Sequence, residues 1–304
     1  MKISFKKIFF MLLFSSFILF IATGCSSSST STSNAGTDYT ATIEDTSAYI
    51  NTIIKQYNLV GVSIALVDND KTVWSKGFGY ADKENKIPAN AYTVYMIGSV
   101  SKTLTTVALL NLYDKGLVAL DEPVTSYLPE FDMKERYANQ MQEITVRRLL
   151  DHHSGIPGDI YNSGFVDEMW DDWDKSLYIN WLYSYLKDDY PTYAPGQVAS
   201  YCNTGFILAG EIVRKVGGGS TLASYMQENL LAPLGMNKSS CRKITDNLAM
   251  GYIGGEPTSE MEANLTATGG MYSTVTDMAQ FIMMLLGEGI HPNGTRILMP
   301  GLWP

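Results

Sequence analysis

Cysteine is nearly absent from this chain, with three residues in 304. That excludes a small disulfide-stapled scaffold, and a chain of this length needs no such staple to bury a core. Glycine (26) and proline (11) are too few for a fibrous or low-complexity protein, and 45% hydrophobic content is too high for a disordered one. Basic residues are in the minority, 22 against 31 acids, for a net charge of −9. An acidic surface repels phosphate backbones, which argues against a nucleic-acid partner. There is no H-E-x-x-H among the three histidines, and the adjacent His152 and His153 are poorly spaced to share one metal. No G-x-S-x-G is present to form the nucleophile elbow of an α/β-hydrolase, and no G-x-G-x-x-G opens a helix after a strand.

The N-terminus is of a different composition. Lys2, Lys6 and Lys7 precede an uncharged apolar run from Ile8 to Thr23, which leads into Gly24-Cys25. A basic head, an apolar run shorter than the ~20 residues of a spanning helix and small residues before a break describe a secretory signal. The approach to Cys25 resembles a bacterial lipobox, so residues 1–24 are expected to be removed and Cys25 to carry the lipid; the alternative is an uncleaved anchor. Acyl chains bind a bilayer by ~0.8 kcal/mol per buried CH₂, so two or more would hold the chain outside the cytoplasm firmly. Residues 25–38, almost all Ser, Thr, Asn, Gly and Ala after Cys25, read as a tether without apolar side chains to order it. Cys202 and Cys241 then remain, and two free thiols are expected rather than a bridge.

Residues 39–304 show no repeat and no second linker, and read as one domain. Helical spacing runs from Ile43 to Tyr57. Val62, Ile64 and Leu66 alternate with smaller residues, Asp68 to Lys71 make a turn, and Thr72 to Gly79 form a second β-rich run, together an antiparallel hairpin. Helices are expected over Ser99–Lys115, Thr145–Leu150, Asp174–Lys187, Phe206–Val216, Thr221–Asn229 and Thr276–Gly287. A hairpin followed by a helix-rich middle is an α+β pattern.

With metal and elbow excluded, the remaining nucleophile type is S-x-x-K. Ser99-Val100-Ser101-Lys102 opens the most apolar helix, and residues three apart on a helix share a face, so the Lys102 amine can reach the Ser99 hydroxyl. For Lys102 to act as a base near neutrality its pKa must fall from ~10.4 by roughly three units, about 4 kcal/mol, which desolvation can supply. Met96, Ile97 and Leu104 are candidate walls, and part of the pocket must come from elsewhere because Thr103, Thr105 and Thr106 are polar. The bare pattern also matches at Ser4, Ser184 and Ser240, and Y-x-N matches at Tyr49, Tyr137, Tyr178 and Tyr201. Context singles out Ser99, at a helix mouth, and Tyr201-Cys202-Asn203, between the Pro195-Gly196 turn and a helix start.

Six blocks in order then carry a resemblance. They are Gly77-Phe78-Gly79-Tyr80-Ala81-Asp82, Ile97 to Lys102, Leu149-Leu150-Asp151-His152-His153-Ser154-Gly155-Ile156-Pro157, Pro195-Gly196 with Tyr201 to Phe206, Pro233-Leu234-Gly235-Met236, and Gly269-Gly270-Met271-Tyr272-Ser273-Thr274. From about residue 45 to 298 the chain resembles the serine β-lactamase-related family, which includes class C β-lactamases, D-alanyl-D-alanine carboxypeptidases, D-aminopeptidases and esterases. The resemblance implies a β-lactamase/transpeptidase-like fold: an antiparallel sheet flanked by helices, plus a helical region. It implies Ser99 as acylated nucleophile, Lys102 as its proton acceptor, Tyr201 as proton shuttle and Asn203 as the holder of the substrate amide. The Ser99 backbone N–H would form half of an oxyanion hole. No metal and no organic cofactor are implied. The substrate would be a small molecule or a peptidoglycan peptide, with the membrane reached through the lipid on Cys25.

One family feature does not fit. The third motif, Lys or His followed by Thr or Ser and Gly, matches only His153-Ser154-Gly155, which belongs to the Leu-Leu block and reads as structural. The late sheet strands are therefore expected to be missing from an incomplete domain spanning 39–304, leaving an open edge on the hairpin and weak or no catalysis. The alternative function is an inactive cell-envelope module that binds a peptide in the same cleft. The acidic, aromatic cluster from Asp167 to Asp174 is either a cover that brings Trp170 or Trp173 to the substrate or a solvated helix face.

Overall fold

The computed structural model describes residues 37–158, 177–218, 221–258 and 266–301. The expected signal, Cys25, most of the tether, Trp170 and Trp173 lie outside the described residues.

The first helix, α1 (Thr40–Tyr57), ends where Asn58 turns left-handed at φ 51°. The amide of Asn58 donates to the Gly254 carbonyl at 2.9 Å, tying that end to a distant loop. The expected hairpin follows as β1 (Gly61–Asp68) and β2 (Lys71–Asp82), antiparallel from Gly61 opposite Gly79 to Asp68 opposite Lys71. A short β3 (Ile87–Pro88) adds to β2, giving the order β1-β2-β3, so β1 is the outer strand and every residue along it is half-exposed. Helices α1 and α8 (Val275–Leu286) pack against β1 and β2. The arrangement of small antiparallel sheets and helices is the expected α+β one.

The core lies on the helical side. Helix α2 (Ser101–Asp114) buries Leu104, Val107, Ala108, Leu109 and Leu112, and packs against α6 (Asn203–Val216), which is buried on every residue from Thr204 to Val213. A helix enclosed on all sides has to be apolar all round, and the run Phe206-Ile207-Leu208-Ala209-Gly210 meets that demand. After the one-turn α3 (Gln140–Glu143), α4 (Val146–Leu150), α5 (Leu177–Leu186) and α8 stand around this pair and contribute Leu149, Leu182 and Phe281 to one continuous cluster. Two short strands stitch the sequence blocks together: β4 (Tyr95–Met96) pairs antiparallel with β7 (Tyr272–Ser273), while β5 (Tyr252–Ile253) and β6 (Glu256–Pro257) pair with each other. Cys202 and Cys241 are free thiols, and burial pushes the Cys241 thiol up to about 12.

Besides α1, which begins at Thr40 rather than Ile43, three helices differ from the sequence reading by two residues or more. The helix expected from Ser99 begins at Ser101, because Gly98–Val100 form a tighter 3-10 turn. The helix expected from Phe206 begins at Asn203, where Cys202 Sγ accepts the Gly205 N–H at 3.1 Å in the role of an N-cap. The segment expected as Thr221–Asn229 is α7 (Leu222–Met226) running into a wider π-type turn, Gln227–Leu231.

Candidate active site

Ser99 sits in the 3-10 turn that delivers the chain from β4 into α2. Gly98 enters that turn at φ +52°, a left-handed conformation that suits a residue without Cβ. The turn is pinned from the far end of the chain: Ile97 N–H donates to the Met271 carbonyl at 2.8 Å, and Met271 N–H donates to Ser101 Oγ at 3.2 Å. Ser99 is thereby exposed at the surface, while Lys102, one turn on, is only 5% exposed.

Lys102 Nζ lies 3.4 Å from Ser99 Oγ and donates to the Thr268 carbonyl at 2.7 Å. The ammonium stands over two aromatic rings, 4.7 Å from the centroid of Tyr201 and 5.6 Å from that of Phe206. Ring faces attract a cation without hydrating it, so the amine is held beside the serine in a space closed to bulk water. Of the walls expected from sequence, Ile97 and Leu104 are buried. The missing ones are Tyr201, Phe206 and the Thr268 carbonyl, brought in by the loop before α6, by α6 itself and by the segment before β7.

From the other side the Tyr201 hydroxyl donates to Ser99 Oγ at 2.7 Å. Tyr201 is half-exposed, so it forms a wall of the cleft rather than part of the core. Its position follows from the loop that carries it, which hangs on residues 152–158. Thr192 N–H donates to the Gly155 carbonyl, Gly196 N–H to His153, Ser200 N–H to His152, and the N–H groups of Asn203 and Thr204 to Gly158, at distances from 2.7 to 3.2 Å. The Leu-Leu-x-His-x-Ser-Gly block is thus the platform of the tyrosine loop. Gly155 shows how close the fit is: at φ +73°, a Cβ there would fall 2.1 Å from the Tyr193 carbonyl. Asn203 opens α6 two residues after Tyr201 and is half-buried.

The structure therefore brings Ser99, Lys102 and Tyr201 together at one mouth, with Asn203 two residues beyond Tyr201 at the head of α6; Cys25 is outside the described residues. Of the competing serines Ser4 lies outside the described residues, and the other two are otherwise engaged. Ser184 Oγ donates to the Trp181 carbonyl near the end of α5, and Ser240 Oγ accepts from the Arg242 N–H. Sequence reasoning passed over His152, whose ring faces Tyr201. Burial first, and the Lys102 ammonium second, hold its imidazole below the ordinary histidine value. Among the described residues no cluster of three His, Cys, Asp or Glu side chains is arranged to hold a metal ion.

Arranged this way, the serine hydroxyl has a nearby amine to receive its proton and a phenol to relay one, which is the equipment of an acyl transfer. Residues 44–301 match the protein family described as Beta-lactamase. "Protein flp" of Staphylococcus aureus (strain NCTC 8325 / PS 47) is 31% identical over 254 residues, covering 80% of this chain and 49% of that protein. "Serine beta-lactamase-like protein LACTB, mitochondrial" of Mus musculus is 39% identical over 122 residues, 40% of this chain and 22% of that protein. Among solved structures, the octameric penicillin-binding protein homologue from Pyrococcus abyssi has a TM-score of 0.65 at 30% identity, over 80% of this chain and 56% of that one. The D-alanine carboxypeptidase AmpC from Burkholderia cenocepacia has a TM-score of 0.65 at 25% identity, over 80% and 64%. The chain spans about half the length of the Staphylococcus relative.

Proposed function

The chain belongs to the beta-lactamase family, and from that premise we propose that it is a serine hydrolase working through an acyl-serine intermediate on an amide or ester. The observation that carries the reading is the double approach to Ser99 Oγ, by the Tyr201 hydroxyl at 2.7 Å and the buried Lys102 amine at 3.4 Å.

In this reading the resting Lys102 ammonium gives up its proton before the chemistry begins, and the neutral amine so formed is the base. Ser99 Oγ attacks the substrate carbonyl as its proton passes to Lys102 Nζ, forming the C–O bond of a tetrahedral adduct. The adduct collapses by breaking the bond to the leaving nitrogen or oxygen, which takes a proton from the Tyr201 hydroxyl, and Lys102 returns its proton to Tyr201. Deacylation repeats the sequence with water as nucleophile, and Ser99 recovers its proton. Asn203 orients the substrate amide. Positioned acid–base groups of this kind contribute roughly 10²–10⁴ in rate. The substrate classes supported by the family are a peptidoglycan D-peptide, a β-lactam or a small ester.

The same reading has the protein exported and held at the outer face of a membrane by acyl chains on Cys25, with residues 25–38 as tether. The basic head, the short apolar run and the small residues before Cys25 support it. A Cys25→Ser chain would leave the membrane fraction.

The test of the hydrolase reading is covalent. A fluorophosphonate or a labelled penicillin is expected to add its mass to the peptide containing Ser99, with no addition in Ser99→Ala. Labelling that is absent from the wild type, or that persists in the Ala variant, would overturn it.

A further inference from the structure

Most of the ties between the tyrosine loop and its platform are backbone pairs, joined by longer contacts from Cys202 Sγ and Thr204 Oγ1 to carbonyls of residues 156–158. One tie depends on a titratable ring: Cys202 N–H donates to His152 Nδ1 at 3.1 Å. A backbone N–H can only donate, so Nδ1 is a bare acceptor and the proton of the neutral ring sits on Nε2. The same ring lies against Tyr201, with centroids 4.6 Å apart and planes at 36°, and against Phe206 at 5.3 Å. The His152 backbone is held at φ +64°, a region that a side-chain-bearing residue enters at some cost. His152, Tyr201 and Phe206 therefore form one cluster of three tilted rings, of which Tyr201 and Phe206 also face the Lys102 ammonium.

We propose that His152 is a positioning residue that, as a neutral ring, aims the Tyr201 hydroxyl at Ser99, and that protonating the ring releases the tyrosine. Protonation puts a hydrogen on Nδ1, opposite the Cys202 N–H, so two donors face each other where one bond had been. The groups facing the ring decide how readily this happens. The Lys102 ammonium from α2 and His153 on the same segment oppose the imidazolium, and Asp151 favours it. Tyr201 and Phe206 face it only with rings. The structural part of the inference stands without the hydrolase reading; its consequence for acylation rests on that reading.

The experiment is NMR of the full chain labelled with ¹⁵N-histidine, ¹⁵N-cysteine and ring-labelled tyrosine, titrated between about pH 4 and 8. Expected are an Nε2–H tautomer at neutral pH, and movement of the Tyr201 ring and Cys202 amide signals at the His152 midpoint. In His152→Asn, which tolerates φ > 0 and keeps an acceptor near the Nδ1 position, those two signals should no longer follow a histidine titration. A proton on Nδ1 at neutral pH, or Tyr201 signals that stay fixed while His152 titrates, would overturn the inference. A second arm measures Ser99 labelling: about 10²-fold slower in His152→Asn than in wild type, as for a misplaced catalytic group. A wild type that does not label sinks the hydrolase reading and leaves the NMR to decide His152.

Discussion

Replacing Lys102 by methionine separates catalysis from stability at one position. The side chain is 5% exposed, and methionine nearly matches its length while removing the charge. Two attractions are lost: a charged hydrogen bond to the Thr268 carbonyl, about 1.5–3 kcal/mol, and the stack on Tyr201 and Phe206, up to about 2 kcal/mol when desolvated. Against them stands the cost of keeping an ammonium out of water, several kcal/mol per buried ion. The terms nearly cancel, so the melting temperature of Lys102→Met should lie within about 6 °C of wild type, at 2–4 °C per kcal/mol for a domain of this size. The rate should not be spared. Without the amine, Ser99 has no base, and acylation should fall by about 10²–10⁴, or 2.7–5.5 kcal/mol in the barrier. Thermal melts by circular dichroism and the rate of mass addition at Ser99 measure the two quantities side by side. A folded Met variant that acylates within threefold of wild type would refute the role of the amine.

Tyr201→Phe keeps the ring over Lys102 and loses only the hydroxyl, so acylation should fall by about 10² or more while the melt stays within a few degrees; an unchanged rate would remove the phenol from the chemistry. Gly155→Ala forces a Cβ into the Tyr193 carbonyl at a left-handed position, and should lower stability by more than about 1 kcal/mol, visible as an earlier melt. Asp277 is buried at the head of α8, where its carboxylate accepts from the Lys238 N–H and Ser239 Oγ, and burial raises its pKa. A raised carboxyl contributes stability below its unfolded value of ~3.9 that is lost as pH rises through the folded value, so wild type should lose ground to Asp277→Asn across that window. Melts of both proteins from pH 3 upward would show a constant difference if the carboxyl did not titrate there.

What the sequence made legible was whatever local chemistry and ordered motifs specify. Alternation at Val62, Ile64 and Leu66 announced the hairpin, and the apolar run after Lys102 announced the central helix. Ser99, Lys102 and Tyr201 could be selected from several equivalent matches because each had a distinctive setting. The helix starts were less visible. Cysteine is not a usual N-cap, so nothing marked Asn203 as the first residue of α6, and the 3-10 turn at Ser99 depends on pins from Ser101 and Met271. The pocket was least visible of all. Phe206 and His152 reach Lys102 and Tyr201 only through packing between elements far apart in sequence, and the Thr268 carbonyl is a backbone group that no side-chain motif reports.

The platform under Tyr201 closes at Gly158, whose carbonyl takes the N–H groups of Asn203 and Thr204. The acceptors on the platform side all belong to residues 152–158, and the donors on the loop side are backbone N–H groups of residues 192–204. A backbone donor survives most changes of its own side chain. The loop can therefore exchange its exposed side chains, Tyr193 and Val198 among them, while the phenol stays aimed at Ser99, so mutational drift on that face should leave the proton relay in register.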